Sequence, residues 1–108
     1  MTISLLISGI SGKLGKVITE EIENTDKISL TAGQASLNNK YLGKPLSSFL
    51  KTNCNANLVS DFNDIRDALD VVIDVSSTDN FENVSNFCLK NNLPCLLYTS
   101  DAADELCR

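Results

Sequence analysis

Histidine is absent from this 108-residue chain. That removes the commonest general acid–base side chain and, with it, the usual Cys/His zinc patterns. Cys54, Cys88, Cys95 and Cys107 show no Cys-x-x-Cys spacing, so they read as reduced structural thiols and no metal site is expected. Positive charge is scarce: nine Lys and Arg stand against 14 Asp and Glu, for a net charge of −5. A sequence-independent grip on nucleic acid needs a basic face, so that partner is excluded. No apolar run nears the roughly 20 residues that cross a bilayer. Ile3–Ser8 is apolar but has no basic stretch before it, so no secretory signal is expected and the protein is placed in the cytoplasm. What remains is an ordinary globular composition, 43% hydrophobic and 21% charged, with room for one domain and a modest core.

The hydrophobic pattern alternates between two periods. Ile3–Ser8 is a short continuous apolar run ending at a glycine, the mark of a central parallel strand covered on both faces. After the glycine-rich stretch 9–15, Leu14, Val17, Ile18 and Ile22 recur at helical spacing, with Lys16, Glu20 and Glu21 opposite, and the helix should end near Asn24. A second strand is expected at Ile28–Ala32, broken by Gly33, followed by an irregular polar region with a short helical turn at Leu46–Leu50 after Pro45. Leu58 and Val59 suggest a brief third strand, and Asp61 a cap for a helix carrying Ile65 and Leu69 on one face. Asp70–Val75 reads as a buried strand. Asp79-x-x-Glu82 resembles a capping box, opening a helix with Phe81, Val84, Phe87 and Cys88 inward that Asn91 and Asn92 stop; Pro94 then precedes one more apolar stretch. Strands alternating with helices of this length make an α/β fold, a Rossmann-like parallel sheet with helices on both faces.

Chemistry is concentrated in Gly9-Ile10-Ser11-Gly12-Lys13-Leu14-Gly15, which follows the first strand and opens the first helix. Gly9 permits a sharp turn off the strand, Gly12 lets backbone approach a pyrophosphate, and Gly15 allows close packing of the helix. Free amides and the positive end of the helix dipole would face the phosphates, with Lys13 adding a cation at the rim. The spacing is Gly-x-x-Gly-x-x-Gly, with Ser11 in place of the middle glycine of the dinucleotide fingerprint. A turn serving packing alone is the competing reading. The acidic residue that usually holds the adenosine ribose is missing from the end of the second strand, Thr31 to Ser36. Either Gln34 or Ser36 holds the ribose, as in an NAD site, or NADP is used with Lys13 or Lys40 near the extra phosphate. Asp74, inside an apolar strand, is as consistent with a buried structural role as with function. Ser76, Ser77 and Thr78 lie at the carboxyl end of that strand, where ligands of parallel sheets bind, and either line the cleft or cap the next helix. Asp61 and Asp64 read as helix-start charges.

Two stretches together resemble the 4-hydroxy-tetrahydrodipicolinate reductase (dihydrodipicolinate reductase) family: Ile7 through Lys16, similar to its opening Gly-x-x-Gly-[Arg/Lys]-[Met/Leu]-Gly, and Asp70 through Ser77 with Asn83 through Pro94. The resemblance covers residues 1–94. It implies an oxidoreductase of lysine and diaminopimelate biosynthesis that uses NADP or NAD. Gly9, Ile10, Ser11, Gly12, Lys13, Leu14 and Gly15 would then make the cofactor loop, with Ser76 and Ser77 near the nicotinamide ribose. The chain departs from the family pattern at Val75-Ser76-Ser77-Thr78, which lacks the usual proline. It departs again at Tyr98-Thr99-Ser100-Asp101, where a Gly-Thr-Thr-Gly turn would start.

Residues 95–105, Cys-Leu-Leu-Tyr-Thr-Ser-Asp-Ala-Ala-Asp-Glu, match one reading frame of a widely used transposase sequencing adapter. The expected organisation is therefore a partial dinucleotide-binding domain at 1–94 and a non-native tail at 95–108; a genuine further strand at Cys95–Tyr98 is the alternative. The family resemblance places the substrate pocket, the catalytic residues and most of a homotetramer interface in a further carboxyl-terminal domain. No catalytic residue is therefore assigned here, and the chain by itself is expected to hold at most the hydride donor. Two other readings stand beside this one: an extended short-chain reductase with a later Tyr-x-x-x-Lys pair, and a module that senses a dinucleotide without chemistry.

Overall fold

The computed structural model describes residues 2–65, 68–76 and 80–97. Strand β1 (Ile3–Ser8) is followed by helix α1 (Lys13–Glu23), β2 (Ile28–Gln34), two single-turn 3-10 helices (Leu46–Ser48 and Phe62–Asp64), β3 (Val71–Asp74), α2 (Phe81–Lys90) and β4 (Cys95–Leu97). The four strands form one sheet in the order β2-β1-β3-β4, every pair parallel. β1 is interior, and its last four residues are all buried, as a strand covered on both faces requires.

Two cores result. On one face Leu5 and Ile7 pack with Leu30, with Ile22 of α1 and with Leu46, Leu50 and Leu58 from the irregular region. On the other, Leu6, Ala32 and Val72 pack with Val84 and Cys88 of α2 and with Phe62. Each fully buried Leu or Ile contributes about 1.5–3 kcal/mol relative to exposure. The helices thus cover opposite faces, as predicted.

Where β1 meets β2 the register slips, Leu5 facing Leu30 and Leu6 facing Ala32. This bulge leaves Thr31 without an opposite residue. It also sends Leu30 to one core and Ala32 to the other.

Several expectations are corrected. Leu14 and Val17 do not face inward; they are 41% and 53% exposed, and α1 buries Gly15, Thr19 and Ile22 instead. Gly33 does not break the second strand, which runs on to Gln34; a Cβ there would meet the methyls of Ile10 and Leu46 at 3.0 Å, so glycine is what lets this part of β2 lie under them. Leu58 and Val59 give only an isolated bridge, Val59 with Gln34. Asp61 caps one 3-10 turn, accepting from the Asn63 N–H at 2.9 Å. No longer helix follows among the described residues, because Ile65 is already extended. Phe81, expected inward, is 47% exposed, whereas Val84 and Cys88 are buried. Asp79 lies outside the described residues; Asn80 is the residue that precedes α2.

Candidate functional site

The carboxyl ends of β1, β2 and β3 open into a cleft of about 530 Å3, lined by Gly9, Ser11, Gly12, Gln34, Ala35, Ser36, Val75, Ser76 and Asn80. The chain leaves β1 through Gly9 at φ +81°, a left-handed conformation that glycine adopts without strain. The same glycine permits a close approach: a Cβ would stand 2.7 Å from Ser76 Cα. Gly15, the third residue of α1, meets the main chain of Ile10, to whose carbonyl oxygen a Cβ would come within 2.5 Å. Between them Gly12 is exposed, and a Cβ there would touch only the Gly9 carbonyl oxygen at 3.5 Å. Gly9 and Gly15 are therefore demanded by packing. Gly12 is not, and its open side faces the cleft.

Gly12 is also the N-cap of α1, so no side chain caps this helix, and its first turn carries no acidic residue. The amides of Lys13, Leu14 and Gly15 have no intrahelical acceptor at this position. Oriented amides at the positive end of a helix, bare of any protein carboxylate, are what a bound phosphate needs. The upstream amides are used differently: Gly9 and Ile10 both donate to the Gln34 carbonyl, at 2.7 and 3.2 Å, and Gly12 donates to the Gly9 carbonyl at 3.1 Å. Ile10 is fully buried, so its part is to shape the turn and support Gly15. Lys13 and Leu14 are exposed on the first turn. Ser11 accepts from Asn39 Nδ2 at 2.7 Å, tying the loop after β2 to the glycine turn.

At the other wall Asp74, fully buried, accepts from both the amide and the hydroxyl of Ser76. Asp74 thus shapes the end of β3 and does not itself face the cleft, while Ser76 lines it. Ser77 lies outside the described residues. Gln34, a candidate for the ribose, is buried, and both its amide hydrogens are donated internally, to the carbonyls of Ala35 and Ser60 at 3.0 and 2.9 Å. Ser36 remains as an exposed hydroxyl in the lining. Lys40 holds its ammonium 5.2 Å from the centre of the Tyr41 ring.

The sequence reading missed Asn39 and Asn80. Asn80 donates to Ser8 Oγ at 3.0 Å, to Gln34 Oε1 at 3.2 Å and to Ser76 Oγ at 3.2 Å. Its signal was an N-cap residue type just ahead of a helical pattern; Asn39, in an irregular loop, gave none. Among the described residues no cluster of His, Cys, Asp or Glu has the makings of a metal site, and no helix is long and apolar enough to cross a membrane.

A family model described as dihydrodipicolinate reductase, N-terminus, matches residues 3–105. A 4-hydroxy-tetrahydrodipicolinate reductase of Clostridium novyi (strain NT) is 30% identical over 101 residues, which are 94% of this chain and 35% of that protein. One from Wigglesworthia glossinidia brevipalpis is 33% identical over 108 residues, covering 92% of this chain and 38% of the relative. Among solved structures, the dipicolinate-bound dihydrodipicolinate reductase from Paenisporosarcina sp. TG-14 superimposes with a TM-score of 0.60 at 21% identity, over 97% of this chain and 42% of that one. The chain thus spans little more than a third of the length of these curated relatives.

Proposed function

The chain belongs to the dihydrodipicolinate reductase family as its amino-terminal, dinucleotide-binding part, and from that premise we propose that the glycine turn and the cleft beside it hold NADP or NAD. The observation that carries this reading is the uncapped start of α1: a glycine N-cap, no first-turn acid, and unclashed room where any other residue would carry its Cβ. A turn serving packing alone needs Gly9 and Gly15 but gives no reason for Gly12. The amides of Lys13, Leu14 and Gly15 take the diphosphate, Lys13 adds charge from the rim, and Gly9, Ile10 and Ser11 set the path of the turn. Ser76, with Ser77 beside it in sequence, faces the nicotinamide ribose. With Gln34 occupied internally, the hydroxyl for an adenosine ribose falls to Ser36, and Lys13 or Lys40 supplies the cation for a 2′-phosphate.

When bound, the cofactor supplies a hydride; the residues of this chain orient it and contribute no proton donor to the reaction. In the whole protein the hydride acceptor is a cyclic, imine-type dicarboxylate. A further domain supplies the substrate pocket, the acid and the contacts of a homotetramer, in the cytoplasm. Residues 1–94 are the native part of this unit and residues 95–108 an adapter-derived tail. β4 does not argue against that division, because the main-chain edge of β3 at Val72–Asp74 pairs with any extended apolar segment that reaches it.

Titration of the purified chain with NADPH and with NADH, followed by nucleotide fluorescence, tests the site: saturable binding lost in Gly12→Asp supports it, and no binding of either sinks it. Sequencing the source locus past codon 94 tests the division. A Gly-Thr-Thr-Gly segment soon after it supports a native continuation, and the same residues 95–108 in the genome overturn the adapter assignment.

A further inference from the structure

The last paired rung of the sheet sets three polar side chains in a row, Ser8 opposite Gln34 on one side and Asp74 on the other. The bulge in β2 makes this possible. It sends Ala32, and with it Gln34 two residues on, to the face of Leu6 and Ser8. There the Gln34 amide uses its whole hydrogen-bonding capacity. Nε2 donates to the Ala35 and Ser60 carbonyls, while Oε1 accepts from Ser8 Oγ at 2.7 Å and from Asn80 Nδ2 at 3.2 Å. Two main-chain carbonyls fix which end of the amide is the donor. The same residue's own carbonyl accepts the Gly9 and Ile10 amides. Asn80 carries the connection onward to Ser76, and Ser76 to Asp74.

We propose that Gln34 is a positioning residue for the dinucleotide: its side chain pins the end of β2 so that its carbonyl holds the glycine turn in place. Through Asn80 it links that turn to the loop carrying Ser76. This rests on the reading of the turn as the phosphate site. The carbonyl of Gln34 lies at the end of the β1–β2 ladder, and its peptide plane is held on the far side by the Ala35 amide, which donates to the Val59 carbonyl at 2.9 Å. The side chain locked to Ser60, Ser8 and Asn80 is the second hold on that direction. If that direction shifts, the Gly9 and Ile10 amides shift with it, and the bare amides of Lys13, Leu14 and Gly15, three to six residues on, lose their aim at a diphosphate.

The test is Gln34→Glu, with NAD+ as probe, because it carries no 2′-phosphate to titrate. A carboxyl in this place sets an oxygen against the Ala35 and Ser60 carbonyls, so only its protonated form donates, and then to one of them. Calorimetric titration from pH 8 to pH 5, with thermal unfolding measured in parallel, should show wild-type affinity nearly flat. Gln34→Glu should bind about tenfold more weakly at pH 8 and regain affinity towards pH 5. Equal affinity of the two proteins at every pH, or a loss that does not vary with pH, overturns the positioning role while the site stands. No NAD+ binding by the wild-type chain, with none of NADPH or NADH either, removes the site and this inference together. If Gln34→Glu does not fold, Ser8→Ala takes its place, since Ser8 donates to Gln34 yet does not line the cleft. A loss of about threefold in affinity is then expected, and no loss overturns the proposal.

Discussion

A Cβ on Gly9 would stand 2.7 Å from the Cα and 2.7 Å from the N of Ser76, so the turn after β1 and the segment after β3 touch through main chain alone. Both neighbours are backbone and cannot swing aside, and Gly9 also sits at φ +81°. Gly9→Ala therefore meets a conformational cost of roughly 1–2 kcal/mol and an overpacking cost of about 1–3 kcal/mol. Denaturant unfolding should show a loss of at least about 2 kcal/mol. A variant as stable as the parent would mean that the two segments are not in contact.

Gly12 gives the opposite result. A Cβ there would make only an ordinary contact, with the Gly9 carbonyl oxygen at 3.5 Å, and its backbone (φ −77°, ψ 174°) suits any residue. Asp is a preferred N-cap and an anion at the positive end of a helix, so Gly12→Asp should keep the fold and gain a few tenths of a kcal/mol. The same carboxylate occupies the place of the diphosphate and repels it. Unfolding and nucleotide titration on one sample should separate the two effects: stability equal or higher, binding abolished. Undiminished nucleotide affinity would show that the turn serves packing alone.

The strands were readable where pattern and burial agree. Leu5-Leu6-Ile7 and Val71-Val72-Ile73 are unbroken apolar runs, and both strands that carry them lie inside the sheet. The turn was readable because glycine spacing reflects local backbone needs, met here at Gly9 and Gly15. α1 was legible in part: Ile18 and Ile22 pack on the core as expected, whereas Leu14 and Val17 do not. The face against the sheet is set by how near Gly15 comes to the Ile10 backbone, and that proximity turns Leu14 and Val17 to solvent. The helix expected after Asp61 ended after one turn because the cap satisfied a 3-10 turn and Ile65 then extended. The Gln34–Asn80–Ser76 linkage was not legible, since it depends on a cross-strand register shifted by a bulge that no local pattern announces.

The outward turn of Leu14 and Val17 on α1 has a direct consequence. Val17→Lys should change stability by no more than about 0.5 kcal/mol, as for an ordinary surface site. Gly15→Ala should cost several times more, because its Cβ would enter the main chain of Ile10 at 2.5 Å. Thr19, whose hydroxyl donates to the Gly15 carbonyl at 2.7 Å, is bound to the same contact. Thermal unfolding of the two variants side by side checks the order, and the reverse order would restore Leu14 and Val17 as the packing face.

Catalysis by the 108 residues alone is a separate matter. They contain no histidine, and the described cleft offers hydroxyls and amides but no acid aimed into it. A hydride donor held without an acceptor pocket or proton source gains nothing in rate. Purified chain supplied with NADPH and the cyclic, imine-type dicarboxylate proposed above as hydride acceptor should therefore show no oxidation above the enzyme-free background. Turnover that rises in proportion to protein would place a complete active site within these residues.

Cys88 provides a measurement that needs no ligand. Burial in the α2 core, the neighbouring Cys95 thiol and the charge of Asp74 push its thiol from an ordinary value near 9 up to about 12. The thiolate is the reactive form. A rise of about three pH units makes it roughly a thousandfold scarcer than in the unfolded chain at pH 8. Iodoacetamide at pH 8 should therefore label Cys88 only as fast as the domain opens, while denatured protein is labelled at once; mass spectrometry of the peptides locates the label. The linkage has a definite sign. A thiol raised on folding favours the native state in its neutral form, so its contribution is complete below about pH 9 and is lost as pH climbs towards 12. Cys88→Ala or Cys88→Val should flatten the fall in stability over that alkaline range. A fall of unchanged steepness, or rapid native labelling at pH 8, would show that α2 does not shield this thiol against the sheet.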